Sequence, residues 1–303
     1  MAYKNIKYRL TILMYDLLEE QDGSYVLSSE LSSPPVVITN PITISFNVNS
    51  IPYNGTSNAT IDLYNLNETT RHSIFYDYRR LDKIPTIYLE AGYEDGNFDL
   101  IFSGHAQIIT SQRNGVDMVT HIEAISGALV ADSSISTTLK EGVTEEEVNN
   151  ALLNSGLGVS KSTKMTFRNY VFLRPVAMFG NRLRLFKEYT EGRGIIDLDK
   201  FYVLDDNEVI SEKAKIINDE SGLISTPRRT QSTVYFNMMF APEIHPSDLV
   251  TLHASVEPAF DGLYKVYSVK HSGIISDGTS TKVTSQIEVF VGAQALGTYR
   301  YDK

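Results

Sequence analysis

The feature that most limits what this chain can fold into is a two-residue rhythm of apolar side chains, repeated in short runs between turn signals. Ile44, Phe46 and Val48 alternate with Ser45, Asn47 and Asn49, and Ala59, Ile61 and Leu63 with Thr60, Asp62 and Tyr64. Ile87, Leu89 and Ala91 flank Tyr88 and Glu90 in the same way. Successive strand side chains point to opposite faces, so each run predicts a strand with one buried and one wet face. Asn114-Gly115 offers the positive φ angles of a tight hairpin, joining residues 106–111 to 118–125. Asp95-Gly96 is a second such signal, between 86–93 and 98–103. Ile74, Tyr78 and Leu81 break the rhythm at helical spacing and predict a short helix within 65–80. Residues 1–134 therefore read as a small barrel or sandwich.

The next stretch, 135–210, changes character. Thr144-Glu145-Glu146-Glu147 is a capping box, with an acidic first turn that suits the positive end of a helix dipole. Val148, Ala151 and Leu152 follow as a buried stripe, with Gly156 as the stop. A second helix is expected over 181–190, turning Leu185, Phe186 and Tyr189 inward and ending at Gly192. Strands at 195–199 and 200–204 then approach a turn at Asp205-Asp206-Asn207. The last stretch, 211–303, returns to strands at 249–254, 263–271 and 282–291, with Asp261-Gly262 and Asp277-Gly278 as turn signals. The reading is mainly β, with a small α+β insert between two strand-rich domains, bounded at 1–134, 135–210 and 211–303. No direct repeat relates the two β parts.

The 303 residues include no cysteine, which excludes disulfides, thiolate zinc sites and a cysteine nucleophile. A net charge of −10 argues against a sequence-independent nucleic-acid binder, which needs a basic face. Residues 34–61 carry no charge, yet Pro34, Pro35, Pro41 and Pro52 among polar residues rule out a membrane span. Asp16, Glu19 and Glu20 come too early for a signal peptide.

The chain offers little chemistry. Glu145 to Glu147 read as a cap and a solvated face, because neighbours on one helical turn diverge and cannot flank a glycosidic bond. Asp205-Asp206-Asn207-Glu208 lacks the glycine and terminal glutamate of a calcium loop and reads as a hairpin turn. No two of His72, His105, His121, His245, His253 and His271 stand four apart on a helix, and the strand histidines read as surface or satisfied core residues. Gly192-Arg193-Gly194 follows a helix where a phosphate loop would open one. No catalytic residue, metal ligand or cofactor site is expected.

Against that background, one run of motifs carries a family resemblance. Glu220, Gly222, Leu223, Ile224 and Pro227 form a Glu-x-Gly-Leu-Ile-x-x-Pro run. A strand-like stretch, a proline turn (Ala241-Pro242-Glu243-Ile244-His245-Pro246-Ser247-Asp248) and a second strand follow. Then come Gly262, Tyr264 and Val266 as Gly-x-Tyr-x-Val, and Val269, His271 and Gly273 as Val-x-His-x-Gly. In this order the segments resemble the baseplate hub proteins of contractile-tailed bacteriophages, over most of 139–290 and more loosely upstream. One departure stands out: the family often has glycine after the proline turn, where this chain has Ser247-Asp248.

The resemblance implies two tail-tube-like β-barrel domains and a structural, non-enzymatic role in the virion tail baseplate, assembled in the host cytoplasm. It implies a homotrimer forming a pseudo-sixfold ring between the sixfold tail tube and the threefold central spike, with a channel for DNA ejection. The implied partners are further copies of the chain, the tail tube protein, the central spike protein, baseplate wedge proteins and the tape measure protein. DNA would pass without specific binding, and no membrane insertion is implied. The alternatives are a tail-associated cell-wall hydrolase and a receptor- or glycan-binding module at the tail tip.

Overall fold

The computed structural model describes residues 5–19, 25–53, 55–77, 82–96, 98–153, 155–276 and 282–291. The alternating runs become strands, and hydrogen bonding joins fifteen of the described strands into one sheet. Its main path runs Arg228–Arg229, Thr233–Met239, Lys282–Phe290, Gly262–Ile275, Ile44–Ser50, Asn58–Tyr64, Asp117–Ile125, Asp99–Asn114, Lys83–Tyr93, Ile6–Glu19 and Tyr25–Leu31. The path starts near the end of the chain and finishes near its beginning. Where two barrels are expected from the sequence, the described strands form one continuous sheet that does not close.

The join is a single long strand, Gly262–Ile275. Its first residues pair with Leu249–Leu252, in register Leu249 with Lys265. Further along, the same strand pairs antiparallel with Ile44–Ser50, in register His271 with Val48 and Gly273 with Phe46. Its other edge pairs with Lys282–Phe290 from Val266 to Ile274, with a register shift between Val266 and Ser268. The hairpin at Asn114-Gly115 forms as expected between Asp99–Asn114 and Asp117–Ile125, with Gly115 at φ 63. The turn expected at Asp277-Gly278 lies outside the described residues.

Three hydrophobic cores sit along this frame. The first packs Leu10, Ile44, Phe46, Ile61, Leu63, Ile87, Leu89 and Ile122. It also takes in Phe240, Ile275 and Val283 from the far end of the chain. The second gathers Val148, Leu152, Met178, Leu185, Phe186, Ile196 and Phe201. The third gathers Val234, Phe236, Val250, Leu252, Val266, Val269 and Ile287. Burying each such side chain contributes about 1.5–3 kcal/mol.

The helices differ from expectation mainly at their ends. The first spans Glu68–Ile74, capped by Asn67, whose Oδ1 accepts from the Thr70 amide at 2.8 Å. It stops because Tyr76–Asp77 pair with Ile109 and Ile108 as a short strand. Tyr78 and Leu81 lie outside the described residues. The capping box forms: the Thr144 hydroxyl accepts from the Glu147 amide at 3.2 Å, and Glu147 accepts from the Thr144 amide at 2.8 Å. That helix spans Glu145–Leu152, and a 3-10 turn carries the chain past Gly156 to Gly158, which takes the positive φ of 68. The other expected helix is Arg182–Tyr189, with Leu185 and Phe186 buried and Gly192 at φ 80 beyond its end. A short helix at Ala128–Asp132, which no periodicity announced, delivers Val130 to the second core.

The expected turn at Asp205-Asp206-Asn207 exists: the Glu208 amide bonds to Asp205 O, and the Glu208 side chain accepts from the Asp205 amide. It is not the hairpin's turn. The hairpin is Gly194–Asp197 with Lys200–Val203, reversed by Leu198 and Asp199 at φ 49 and 54. This places two carboxylates, Asp197 and Asp199, at its tip.

Candidate functional site

The three cores meet at joints, and such joints set how one segment presents its surfaces relative to another. The first joint links the first and third cores. Phe240 leaves the Thr233–Met239 strand and enters the first core, where its carbonyl accepts from the Tyr93 hydroxyl at 2.7 Å and its ring tilts against Tyr93 at 6.2 Å. His271 meets the Phe240 ring edge-on at 5.5 Å. Its Nδ1 is 2.9 Å from Ser285 Oγ, which in turn accepts from the Ala241 amide at 2.9 Å. Burial holds the His271 ring neutral, with its pKa pushed down to about 3 and the nearby His245 adding to the effect. This histidine is a fixed hydrogen-bonding strut.

The residues of the sequence motifs divide between two places. Gly222 is buried at φ 99, and a β-carbon there would stand 2.9 Å from Met239 Cβ. Leu223 bridges to Met238, and the Ile224 amide donates to Asn237 O at 2.9 Å. The run thus lies along the Thr233–Met239 strand, with Leu223 against the third core, Pro227 buried, and Glu220 and Ile224 exposed. Tyr264 packs on the same core and donates to Phe260 O at 2.9 Å, and Val266 is fully buried there. Gly262 begins their strand, 3.3 Å from the Tyr264 ring by its would-be β-carbon. His271 and Gly273, by contrast, lie on the seam with Ile44–Ser50.

The departure from the family pattern has a physical reading. Ser247 sits at φ 67, a conformation that glycine adopts more readily. Its hydroxyl bonds the Tyr53 hydroxyl at 2.5 Å, a contact that glycine could not make.

The second joint seats the middle segment on the first. The Ser57 hydroxyl donates to Asp197 Oδ1 at 2.8 Å. Asp199 accepts from Ser103 Oγ at 2.6 Å and from the Gly127 amide at 2.9 Å, while its own amide donates to Ser126 Oγ at 3.0 Å. Beside this socket His105 is buried, and neither of its ring nitrogens has a hydrogen-bond partner among the described residues.

A third joint lines a half-open pocket of about 380 Å³ where all three segments meet. Tyr53, Tyr267 and Phe290 form a ring cluster in its wall, and the Lys265 ammonium lies 5.7 Å from the centre of the Tyr53 ring. Burial lowers the Lys265 pKa to about 8, against the opposing pull of Asp206, Glu208 and Asp205. On the middle segment's side stands Arg193, bonded to Glu145 Oε1 at 2.6 Å and to Thr166 O at 2.7 Å. Glu145 is fully buried and also accepts from the Arg168 amide at 2.5 Å. The expected solvated face of the glutamate run therefore holds for Glu146 and Glu147 and fails for Glu145, which answers an arginine 48 residues away.

Sequence reasoning missed Asp197, Asp199, Glu145 and Phe240 as joint residues. The one available signal was an Asp-Leu-Asp tripeptide between two apolar strands. Among the described residues no group of three His, Asp or Glu side chains could hold a metal ion. Among the same residues no helix is long and apolar enough to cross a membrane.

The sequence model of the baseplate hub gp41 family matches residues 26–279. No protein with a curated description matches in sequence. Solved structures match in fold at very low identity. A tail protein from Neisseria meningitidis MC58 aligns with a TM-score of 0.59 at 7% identity, covering 95% of this chain and 98% of that one. The 43 kDa tail protein of prophage MuSo2 from Shewanella oneidensis gives 0.55 at 7%, covering 92% and 97%. The Escherichia coli c3393 protein gives 0.56 at 9%, covering 84% and 75%. It is described as a type VI secretion component similar to the T4 tail proteins gp27 and gp5. At these identities the likeness is one of fold.

Proposed function

This chain belongs to the baseplate hub gp41 family, and from that premise we propose that it is the symmetry adaptor of a contractile tail, three copies forming a pseudo-sixfold ring between the sixfold tube and the threefold spike. Its role is structural, as a component of the virion tail. The observation that carries this reading is the shared sheet. The strand Gly262–Ile275 fuses a strand-rich segment, 1–134, to a second one, 211–303, with the α+β segment 135–210 standing on them. Two β segments per chain let three chains offer six comparable faces to a sixfold neighbour. Strand pairing across subunits would cover the free edges at Tyr25–Leu31 and Lys215–Ile217.

The partners are then the tube protein on one face and the spike protein on the other, with wedge and tape measure proteins around them and assembly in the host cytoplasm. The basic residues are unevenly spread: only eight of 27 fall in 1–134, against sixteen of 37 acidic ones, so this segment is net negative. A lumen lined by that segment would let duplex DNA slide, because adhesion grows with the number of phosphates neutralised. Native mass spectrometry and electron imaging of the assembled protein test the proposal. A threefold ring with a channel of about 20 Å or more, the width of B-DNA, is expected. A monomer in the assembled tail would overturn it.

A further inference from the structure

The tip of the hairpin Gly194–Asp197/Lys200–Val203 carries two carboxylates into another segment, and among the described residues no cation forms a salt bridge with them. Asp197 is 3% exposed and Asp199 is 8% exposed. Around Asp197 stand Asp199 on the same tip, Asp248 from the proline turn, Tyr53 from the loop after Ile44–Ser50, Tyr202 from the neighbouring strand and the Ser57 hydroxyl. The cation nearest in this chain of contacts, Lys215, is bonded to Asp248 at 3.1 Å. Among the described residues no lysine, arginine or histidine makes a salt bridge to Asp197.

Asp199 faces hydroxyl and amide donors from Ser103, Ser126 and Gly127, together with His105 and Tyr88. Burial holds the His105 ring neutral, against the pull of Asp199. The middle segment also presses Gly158 onto that ring, so closely that a β-carbon there would lie 2.5 Å from His105 Cε1. The joint is thus close-fitting and polar, and it brings together like charges.

We propose that the Asp197–Asp199 tip is a proton-operated latch, which seats the middle segment on the first sheet while Asp197 carries a proton and loosens it when Asp197 is ionised. Burial gives the direction, since a carboxyl shut away from water beside other acidic groups and without a cation favours its neutral form. Burial, with added repulsion from Asp199 and Asp248, raises the Asp197 carboxyl to about 7, and the Ser57 hydrogen bond opposes this. A seated pKa above the free value means that the seated form binds its proton more tightly. Seating is therefore strongest below the free carboxyl pKa of ~4, weakens about tenfold per pH unit from there to about 7, and then levels off.

Native-state hydrogen exchange of the full chain, corrected for the intrinsic pH dependence of exchange, reads this opening directly. The probes are the Gly127 and Asp199 amides, whose hydrogen bonds close the joint. Their protection should fall about tenfold per pH unit from 5 to 7 and plateau above. The Ile61 and Ile122 amides of the first core should stay flat. Asp197→Asn should abolish the slope, and Ser57→Ala should move the plateau to higher pH. A flat profile at Gly127 and Asp199 in the unmodified chain overturns the latch, whether or not either variant folds. So does an unchanged slope in a folded Asp197→Asn variant.

Discussion

Gly273→Ala should break the seam that makes the two strand-rich segments one sheet. Residue 273 lies between two strands, opposite Phe46 on one side and Val283 on the other. A β-carbon there would stand 2.0 Å from Lys282 O and 2.6 Å from Val283 Cα, against an optimum of roughly 3.5–4.0 Å for carbon contacts. Both obstacles are backbone, so no side-chain rotation relieves the overlap. The Lys282–Phe290 strand must retreat, and each ladder hydrogen bond lost costs about 1 kcal/mol net. Two or three lost bonds with the residual overpacking bring the cost to about 3–5 kcal/mol, which lowers the thermal midpoint of a chain this long by about 5–8 °C. Calorimetry or circular dichroism on heating measures this. Gly96→Ala is the control, because its nearest contact would be an ordinary 3.6 Å to Tyr93 O, and it should change stability by less than about 0.5 kcal/mol. If the two variants melt within about 2 °C of each other, the seam argument is wrong.

Three further outcomes follow from the joints. Arg193→Met leaves the fully buried Glu145 without its ion pair and should cost about 3–5 kcal/mol, whereas adding Glu145→Gln should restore part of that loss in a double-mutant cycle by urea unfolding. Ser247→Gly relieves a positive φ worth about 1 kcal/mol but strips the Tyr53 hydroxyl of its partner at about 1–3 kcal/mol, so the melting temperature should fall; a rise would contradict the account. Burial disfavours the charged form of His121, yet hydrogen bonds to Asp62 and Glu123 outweigh it and raise its pKa. Its contribution is then present below pH ~6.5 and lost as pH rises through the raised value; proton NMR should place its midpoint above 6.5 and Asp62→Asn should lower it.

Local grammar was readable wherever one strand or one helical turn held all the information. Ile44, Phe46 and Val48 alternate because one face of their strand is buried, and Thr144 with Glu147 closes a helix end within four residues. The Gly-x-Tyr-x-Val run and the Glu-x-Gly-Leu-Ile-x-x-Pro run place Tyr264, Val266 and Leu223 at the third core. What could not be read were partners far apart in sequence. Nothing near Val48 says that its neighbour is His271, and nothing in the glutamate run says that Glu145 will turn inward to Arg193. Alternation fixes which face of a strand is buried. It leaves open which strand lies alongside, and hence whether a sheet closes on itself or continues into the next segment. The joint residues escaped for the same reason, since a carboxylate at a hairpin tip is usually wet.

The pairing of Ile44–Ser50 with Gly262–Ile275 also sets a timetable. A ribosome delivers residue 44 long before residue 271, at roughly 5–20 residues per second. Until then, one edge of the first segment's sheet has no neighbour. Its core also lacks Phe240, Ile275 and Val283. Contacts this distant are slow to form, because a long loop must close before they give any return. The first segment therefore cannot finish folding ahead of the last. A chain cut short during synthesis would leave its first core open and would not reach the finished shape. The same strand that welds the sheet thus acts as a check that the polypeptide has been made at least through residue 283.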